Sequence, residues 1–568
     1  MSNGDGMVHG LRPLRGALCI VALGAAITLP GLFTRDLWVP DEPRSMEIVR
    51  EMLTRGDFVV LRLDGEAYSE KPPLYFWLSG LLWRAGLGLS AGRLVAAGAS
   101  VATLLLVYGL GRRLLGAPGG LLAAGATATL FLFVAVSKVT RMDSLLAFFI
   151  AAALAAGTLA LTRNTSRTRL CWLAFYLAAA LGILTKGPIA IILPGLILLA
   201  FAALNWRRVS LGGWEHLAGA ALLAAIVGAW FALAWTHGGR DYALTVLVRQ
   251  TSGRLVDSYS HAYPPYYYLV RAPLLFAPWF LFLIPATAQA VLDWRRKGDM
   301  AAALAVLWFG GMFLLFSAAS GKGRLYLAPL LPGAGLLAGR YFLLAARSGQ
   351  PWPRLHKWLS AATFALVGVL AAAALGLVTL GPDLAKRAYA HEPVVQQQSA
   401  AMASGRNIAL AAATFVALLA LAAAGAWLGM RRPRSLAMPA ALVGVGLVAS
   451  LYVDLVVCPS WNGAKPGRDF ALQVAPILRQ AQRVCTLEQN YYGVFNLYAG
   501  LDSIPVLRGA EQLAEALKSP EHVVVIMKEK QYQQMQPRLP ADARVLARER
   551  LAYWRVVLVS NRGEAAAP

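Results

Sequence analysis

The sequence predicts an all-α polytopic membrane domain followed by a small C-terminal α/β domain. Three observations predict it. Of 568 residues, 58% are hydrophobic and only 14% charged, with a mean hydropathy of +0.55, whereas a soluble domain is closer to ~45–50% apolar and ~25% charged. Apolar runs longer than ~18 residues, enough to cross a bilayer as a helix, recur along the first 457 positions. Residues 458–568 lose that character and read as an ordinary soluble domain.

The elements follow in order. The first apolar run, from about Leu14 to Phe33, lacks a small-x-small cleavage site and reads as a retained first span rather than a signal peptide. With it, spans are predicted at 14–34, 91–111, 117–137, 143–163, 169–185, 188–205, 214–236, 268–290, 300–320, 325–346, 358–380, 406–429 and 436–457. The segment Pro72–Leu87 starts Pro-Pro, is short and contains Arg84, which fits a helix lying on the membrane surface better than a span. A long first outer loop, counted with that segment, therefore covers 35–90. In the tail, β-like runs at Val484–Leu487, Ile504–Leu507, Val523–Met527, Val545–Ala547 and Trp554–Val559 alternate with helical runs near 468–482 and 510–518.

Thirteen spans with a cytoplasmic N-terminus satisfy the positive-inside rule. The inner segments then carry Arg12/Arg15, Arg112/Arg113, Arg163/Arg167/Arg169, Arg207/Arg208, Arg295/Arg296/Lys297, Arg347/Arg354/Lys357 and Arg431/Arg432/Arg434, and the tail lies outside. Net charge is +24, from 53 Lys+Arg against 29 Asp+Glu. Because the basic residues sit between apolar spans, they point to anionic lipid headgroups or phosphate-bearing substrates and not to nucleic acid. Four cysteines exclude a disulfide scaffold. Cys19 and Cys171 lie in spans, while Cys458 and Cys485 could pair in an oxidising compartment.

Candidate chemistry gathers at the outer ends of the spans. Asp41 and Glu42 follow the first span in Trp38-Val39-Pro40-Asp41-Glu42-Pro43-Arg44, and Glu70-Lys71-Pro72-Pro73 closes the acid-rich stretch 35–71. A carboxylate pair just outside a membrane helix is costly unless solvated or used, although Glu42, Glu47, Glu51 and Asp57 could equally form the wet face of a loop helix. Arg141 and Asp143 mark a second corner, where N-capping alone would account for Asp143. Arg254 and His261 precede Pro264-Pro265-Tyr266-Tyr267-Tyr268, a run that would also suit an interfacial aromatic belt. Lys322, Arg324 and Tyr326 occupy a fourth corner. Topology gives no reason for the outer cations Lys71, Lys138, Arg141, Lys186, Lys322 and Arg324. Snorkelling at the interface explains any one of them, and a phosphate-bearing ligand explains the set. No Walker A sequence, HExxH or nucleophile elbow occurs, so a nucleotide-sugar or ATP donor is not indicated. A lipid-linked-sugar transporter would show internal repeats and mid-membrane ionisable groups, and neither is detectable.

Taken together, the corners resemble polyprenyl-phosphate-sugar glycosyltransferases of the GT-C type, a group related to protein O-mannosyltransferases. Within that group they are most similar to the bacterial 4-amino-4-deoxy-L-arabinose lipid A transferases, whose product confers polymyxin resistance. The resemblance rests on Asp41-Glu42, Glu70-Lys71-Pro72-Pro73, Arg141/Asp143, Arg254…His261-x-x-Pro264-x-x-Tyr267-Tyr268 and Arg324-x-Tyr326-x-x-Pro329. It implies an undecaprenyl-phosphate-linked sugar donor, a lipid A phosphate acceptor, and an active face and tail in the periplasm of a bacterial inner membrane. Asp41, Glu42 and Asp143 are then the catalytic candidates. Glu70, Lys71, Arg141, Arg254, His261, Lys322, Arg324 and Tyr326 are expected to bind substrate. No cofactor is required, though Glu70 and His261 could hold a divalent metal such as zinc. Another lipid-linked-sugar transferase, with a protein or glycan acceptor, is the alternative.

Overall fold

A computed structural model describes residues 4–162, 167–246, 263–348, 353–388, 400, 402–432, 435–460, 462, 467–488, 491–551 and 554–562. Helix α1 (Gly4–Thr28) leads into the first loop. There α2 (Asp41–Arg55) starts with two acids against its positive dipole end and stops at Gly56, whose φ of +68° is the left-handed conformation glycine allows. A hairpin follows, β1 (Arg62–Leu63) and β2 (Glu66–Ala67), turned through Asp64 and Gly65 at φ of +55° and +80°. An Asp-Gly pair with both φ positive is the tight turn that matches strand twist. Then come α3 (Leu74–Leu82), α4 (Ala91–Leu115), α5 (Ala117–Thr129), α6 (Phe131–Val136), α7 (Asp143–Leu161), α8 (Arg167–Lys186), α9 (Ile189–Leu204) and α10 (Glu215–Leu244). The membrane part continues with α11 (Tyr267–Leu275), α12 (Phe280–Lys297), α13 (Met300–Val306), α14 (Met312–Ala318), α15 (Leu331–Ser348), α16 (Pro353–Ala388), α17 (Gly405–Arg431) and α18 (Ala437–Tyr452).

Every predicted span is helical, but not every one is a straight rod. Among the described residues, nine helical stretches are long and apolar enough to cross a membrane, or ten if the bent pair α11–α12 is one span. Pro13–Thr28 and Ile189–Leu204 are shorter apolar helices. The single span expected over 268–290 is instead bent by 111° between α11 and α12. Pro278 lies in that break, lacks an amide donor and disfavours helix in the residue before it. The span expected over 117–137 is likewise broken at Leu130. The two breaks meet, since the Phe131 amide donates to the Ala277 carbonyl at 2.9 Å and the Trp279 indole to Thr129 Oγ1 at 2.9 Å. Each interruption supplies a partner the other needs, which is what makes non-helical backbone tolerable at membrane depth.

Helix α3 has nine residues and runs on into the π-helical turn Trp83–Leu87, so the segment is ~20 Å long against a hydrocarbon core of ~30 Å. Gly86 and Gly88, at φ of +92° and +49°, separate it from α4. A surface helix is the reading that this length supports. In the bundle, α15 is buried along nearly its whole length. It packs on α5 so closely that a Cβ on Gly335 would lie 1.9 Å from Thr127 Oγ1. Small residues replace apolar burial as the means of helix association in lipid. The outward faces are apolar, with Leu199, Leu217, Leu314 and Val369 at 64–77% exposed. That is a surface made for hydrocarbon.

The tail forms α19 (Arg468–Gln480), β3 (Arg483–Leu487), α20 (Val494–Ala499), β4 (Val506–Leu507), α21 (Gly509–Lys518), β5 (Val523–Lys528), α22 (Glu529–Met535), β6 (Arg544–Leu551) and β7 (Trp554–Ser560). The five strands lie in the order β4-β3-β5-β7-β6, with β4, β3 and β5 parallel and β5, β7 and β6 antiparallel. The small α/β domain predicted from alternating runs is therefore present. The suggested Cys458–Cys485 bridge is not. Both thiols are free and buried, Cys485 in the central sheet and Cys458 at the end of the last apolar stretch.

Candidate active site

Glu70, Lys71, Asp143, Lys186 and Tyr326 come from four separate parts of the chain and line one cavity of about 120 Å³. Its other wall is apolar, with Leu146, Ile189, Leu193, Phe316 and Leu325. The location follows from the fold. Asp143 opens α7, Lys186 ends α8, Glu70-Lys71 lead into α3, and Tyr326 lies in the tight turn Arg324–Leu330 before α15. Five charged or phenolic groups at the ends of apolar helices thus face one space, polar at one end and greasy at the other.

Asp41 joins this cavity through an ion-pair chain. Arg44 donates to its Oδ1 at 2.6 Å and Arg141 Nη1 to its Oδ2. Arg141 Nε donates to Asp143 Oδ2 at 3.0 Å, and Lys186 Nζ to Asp143 Oδ1 at 2.5 Å. The Lys186 ammonium lies 4.8 Å from the centroid of the Tyr326 ring, within cation–π range. Asp41 retains 31% exposure, while Asp143 has 3% and both of its oxygens filled by cations. A carboxylate held between two cations orients them. Asp143 does so here, and its oxygens are not spent on helix N–H groups as simple capping would require. The chain of Arg44, Arg141 and Lys186 against Asp41 and Asp143 leaves an excess of positive charge, suited to an anion.

Glu42 stands apart from the cavity. It is 3% exposed and accepts from Arg35 at 2.8 Å, from Arg93 at 3.1 Å through two nitrogens, and from the backbone amides of Trp38 and Thr140 at 2.8 Å each. Burial opposes its ionisation, but Arg93, Arg35 and these hydrogen bonds outweigh that and hold it at about 2. With its lone pairs filled it cannot take a proton from a substrate, so the expectation of a catalytic Glu42 is corrected to a tie. It pins the loop before α2 to the turn 138–141 and so presents Arg141 to Asp41.

Lys322 also departs from expectation. It is 2% exposed, donating to the carbonyl of Tyr263 at 2.9 Å and to that of Ala319. It braces its corner and does not line the cavity. Lys138 is similarly engaged, with Asp454 and with Ser450 Oγ at 2.7 Å. Arg324 is exposed at the start of its turn. Arg254 and His261 lie outside the described residues. Glu70 accepts from the Tyr68 hydroxyl at 3.3 Å, and Lys71 donates to the Glu70 carbonyl at 2.9 Å. Among the described residues no three His, Cys, Asp or Glu side chains stand together as a metal site. Arg35, Arg93 and Asp454 were not singled out from sequence. Each acts through a partner that the sequence alone does not reveal, and Arg93 and Asp454, charges inside the predicted spans 91–111 and 436–457, carried a signal that could have found them.

The family model for dolichyl-phosphate-mannose-protein mannosyltransferases matches residues 70–231. The undecaprenyl phosphate-alpha-4-amino-4-deoxy-L-arabinose arabinosyl transferase of Pectobacterium carotovorum is 32% identical over 66% of this chain and 68% of its own length. A Sodalis glossinidius relative bearing the same name, numbered 1, is 33% identical over 54% of this chain, and the match spans only 55% of that relative. The crystal structure of ArnT from Cupriavidus metallidurans bound to undecaprenyl phosphate shares the fold, with a TM-score of 0.75 at 22% identity over 100% of both chains. This multi-pass membrane protein belongs to the undecaprenyl phosphate-alpha-4-amino-4-deoxy-L-arabinose arabinosyl transferase family.

Proposed function

We propose that the protein moves 4-amino-4-deoxy-L-arabinose from undecaprenyl phosphate to a phosphate of lipid A, at the periplasmic face of a bacterial inner membrane. The observation that carries the reading is the two-sided cavity. An apolar wall beside Lys71, Lys186 and the Arg141 pair suits an amphiphile whose long hydrocarbon ends in a phosphate. The bond between the anomeric carbon and the donor phosphate oxygen breaks, and its electron pair leaves with undecaprenyl phosphate. An acceptor phosphate oxygen forms the new bond. Cations held by Asp143 and Asp41 meet the charge that develops on the leaving phosphate, where preorganised donors contribute most. The acceptor is already largely ionised near neutral pH, its second pKa being roughly 6, so no strong base is needed. Asp41, partly exposed, orients the acceptor or the cationic amine of the sugar. No cofactor enters this proposal.

The test is transfer from purified undecaprenyl-linked donor to lipid A, read by mass spectrometry. The expected result is a mass increment matching an amino-pentose on a phosphate. Lipid A left unmodified, with a protein or another glycan labelled instead, would replace the acceptor and keep the enzyme class.

A further inference from the structure

The C-terminal domain touches both ends of the short segment that holds Asp41. Val39, two residues before it, is 6% exposed and packs within the domain's own core among Phe470, Tyr491 and Phe495. Arg44, three residues after it, donates to Asp41 Oδ1 at 2.6 Å. The Arg44 guanidinium lies 5.5 Å from the ring centroid of Tyr492. Tyr492 in turn stacks on Trp554, with centroids 5.7 Å apart and planes inclined by 20°. The outer end of this ladder is the Lys528 ammonium, 5.3 Å from the Trp554 ring.

The backbone that delivers Tyr492 is strained. Tyr491 and Tyr492 have φ of +47° and +57°, a left-handed conformation that L-residues rarely enter and that persists only where the surroundings over-determine it. Here they do. Tyr491 is fully buried in the domain core. Gly493, at φ +73°, approaches α2 so closely that a Cβ would lie 2.5 Å from that of Glu47. Further ties hold the domain to the first loop, since Asn496 donates to Asp64 at 2.7 Å and Arg50 to the Asp502 carbonyl at 3.0 Å. Among its results, the strained turn places a ring against Arg44.

We propose that the C-terminal domain is a working part of the site, with Tyr492 as a positioning residue that fixes the Arg44 guanidinium and, through it, the Asp41 carboxylate. This rests on the reading of Asp41 given above. An Arg44 free to change rotamer would carry its hydrogen bond away from Asp41, leaving the carboxylate without one of its two orienting donors. Donor binding is assigned to Lys71, Lys186 and Arg141, which the ring does not touch, so the loss falls on turnover.

Tyr492→Asn separates positioning from folding, because Asn tolerates a positive φ and lacks the ring. The variant should stay folded, melting only a few degrees lower because the stack on Trp554 is lost, while kcat falls about tenfold and KM for the undecaprenyl-linked donor stays within about twofold. Tyr492→Phe should restore kcat relative to Tyr492→Asn, and the loss from Arg44→Lys should not add to that from Tyr492→Asn. Asp41→Asn is assayed alongside. An inactive Asp41→Asn with wild-type kcat in Tyr492→Asn overturns the positioning role alone, whereas an active Asp41→Asn overturns both readings. A fall in kcat that comes with a larger drop in melting point, and that the Phe variant shares, marks a structural role and also overturns the proposal.

Discussion

At the scale of single residues, Asp41 and Asp143 look alike in sequence, each an acid opening a helix at a membrane edge, and the structure gives them different environments. Asp41 is partly exposed and its ion pairs are shared with solvent, so losing its charge should cost stability only roughly 0–1 kcal/mol. Asp143 is buried between Arg141 and Lys186, and neutralising it leaves Lys186 without a carboxylate and Arg141 with Asp41 alone, at a cost of about 3–5 kcal/mol. Asp41→Asn is therefore expected to melt near wild type and to lose transfer by roughly 10²–10³. Asp143→Asn should lose both activity and thermal stability, although an N-cap would accept Asn readily. Paired melting and transfer assays check this, and an Asp143→Asn protein as stable as wild type would sink the orienting role. Lys71, Arg141, Asp143 and Tyr326 could be picked out because they gather at the outer ends of apolar runs, and the structure brings them to one cavity and its ion-pair chain, although snorkelling or N-capping would explain Lys71, Arg141 or Asp143 taken singly. Glu42 and Lys322 were misread because sequence shows that a charge is present but not which carbonyls or guanidinium groups fill it. Arg93, 51 residues from the carboxylate it holds, illustrates the same blindness.

At the scale of elements, runs of apolar residues located the long apolar helices among the described residues but could not show where two of them break. A break costs unpaired backbone groups, and the Phe131–Ala277 hydrogen bond that offsets it joins segments far apart in sequence. The junction between the β1–β2 hairpin and the C-terminal domain was equally invisible, and it carries a titratable group. Asp64 is 7% exposed. Its Oδ1 accepts from Asn496, while Oδ2 is buried with no hydrogen-bond partner among the described residues. Burial pushes its carboxyl up to about 7 against the opposing hydrogen bond from Asn496, with Glu51 raising it further and Arg50 lowering it. A carboxyl raised in the folded state holds a proton that the unfolded chain has released. Its contribution is therefore complete below the unfolded value, ~3.9, and disappears as pH rises through about 7. The protein should be less stable at pH 8 than at pH 5 by roughly 1–4 kcal/mol from this group. Asp64→Asn should flatten that part of the profile. Melting curves of both proteins across pH 4–9 decide it, and parallel profiles would remove Asp64 from the account.

At the scale of the whole molecule, charge and contact divide the two ends of the bundle. At one end Arg208 donates to the Gly298 carbonyl at 2.6 Å, Arg340 pairs with Asp293 and Asp299 at 2.7 Å each, and Arg169 pairs with Glu215 at 3.5 Å. Arg208 and Arg169 belong to the short-loop basic set, and Arg340 is a buried cation within α15. At the other end lie the Glu42 hub, the Asp41–Arg141–Asp143–Lys186 chain and the Lys138–Asp454 pair, with the C-terminal domain attached through Arg468 to Asp36 at 3.2 Å. Cations at both ends have carboxylate or carbonyl partners built into the protein, so orientation is read from the short-loop basic clusters and not from pairing. Lys/Arg near span ends orients a membrane protein toward the cytoplasm, and the short-loop clusters Arg207/Arg208 and Arg295/Arg296/Lys297 meet at the first end. The C-terminal domain and cavity are accordingly expected on the periplasmic side. A reporter that works only in the periplasm should be active when fused after Pro568 and silent when fused after Arg296. Because the domain is bonded directly to the loop that carries Asp41, a silent C-terminal fusion in a folded, membrane-inserted protein would turn the whole site toward the cytoplasm. Lipid A acceptance at the periplasmic face would then be untenable.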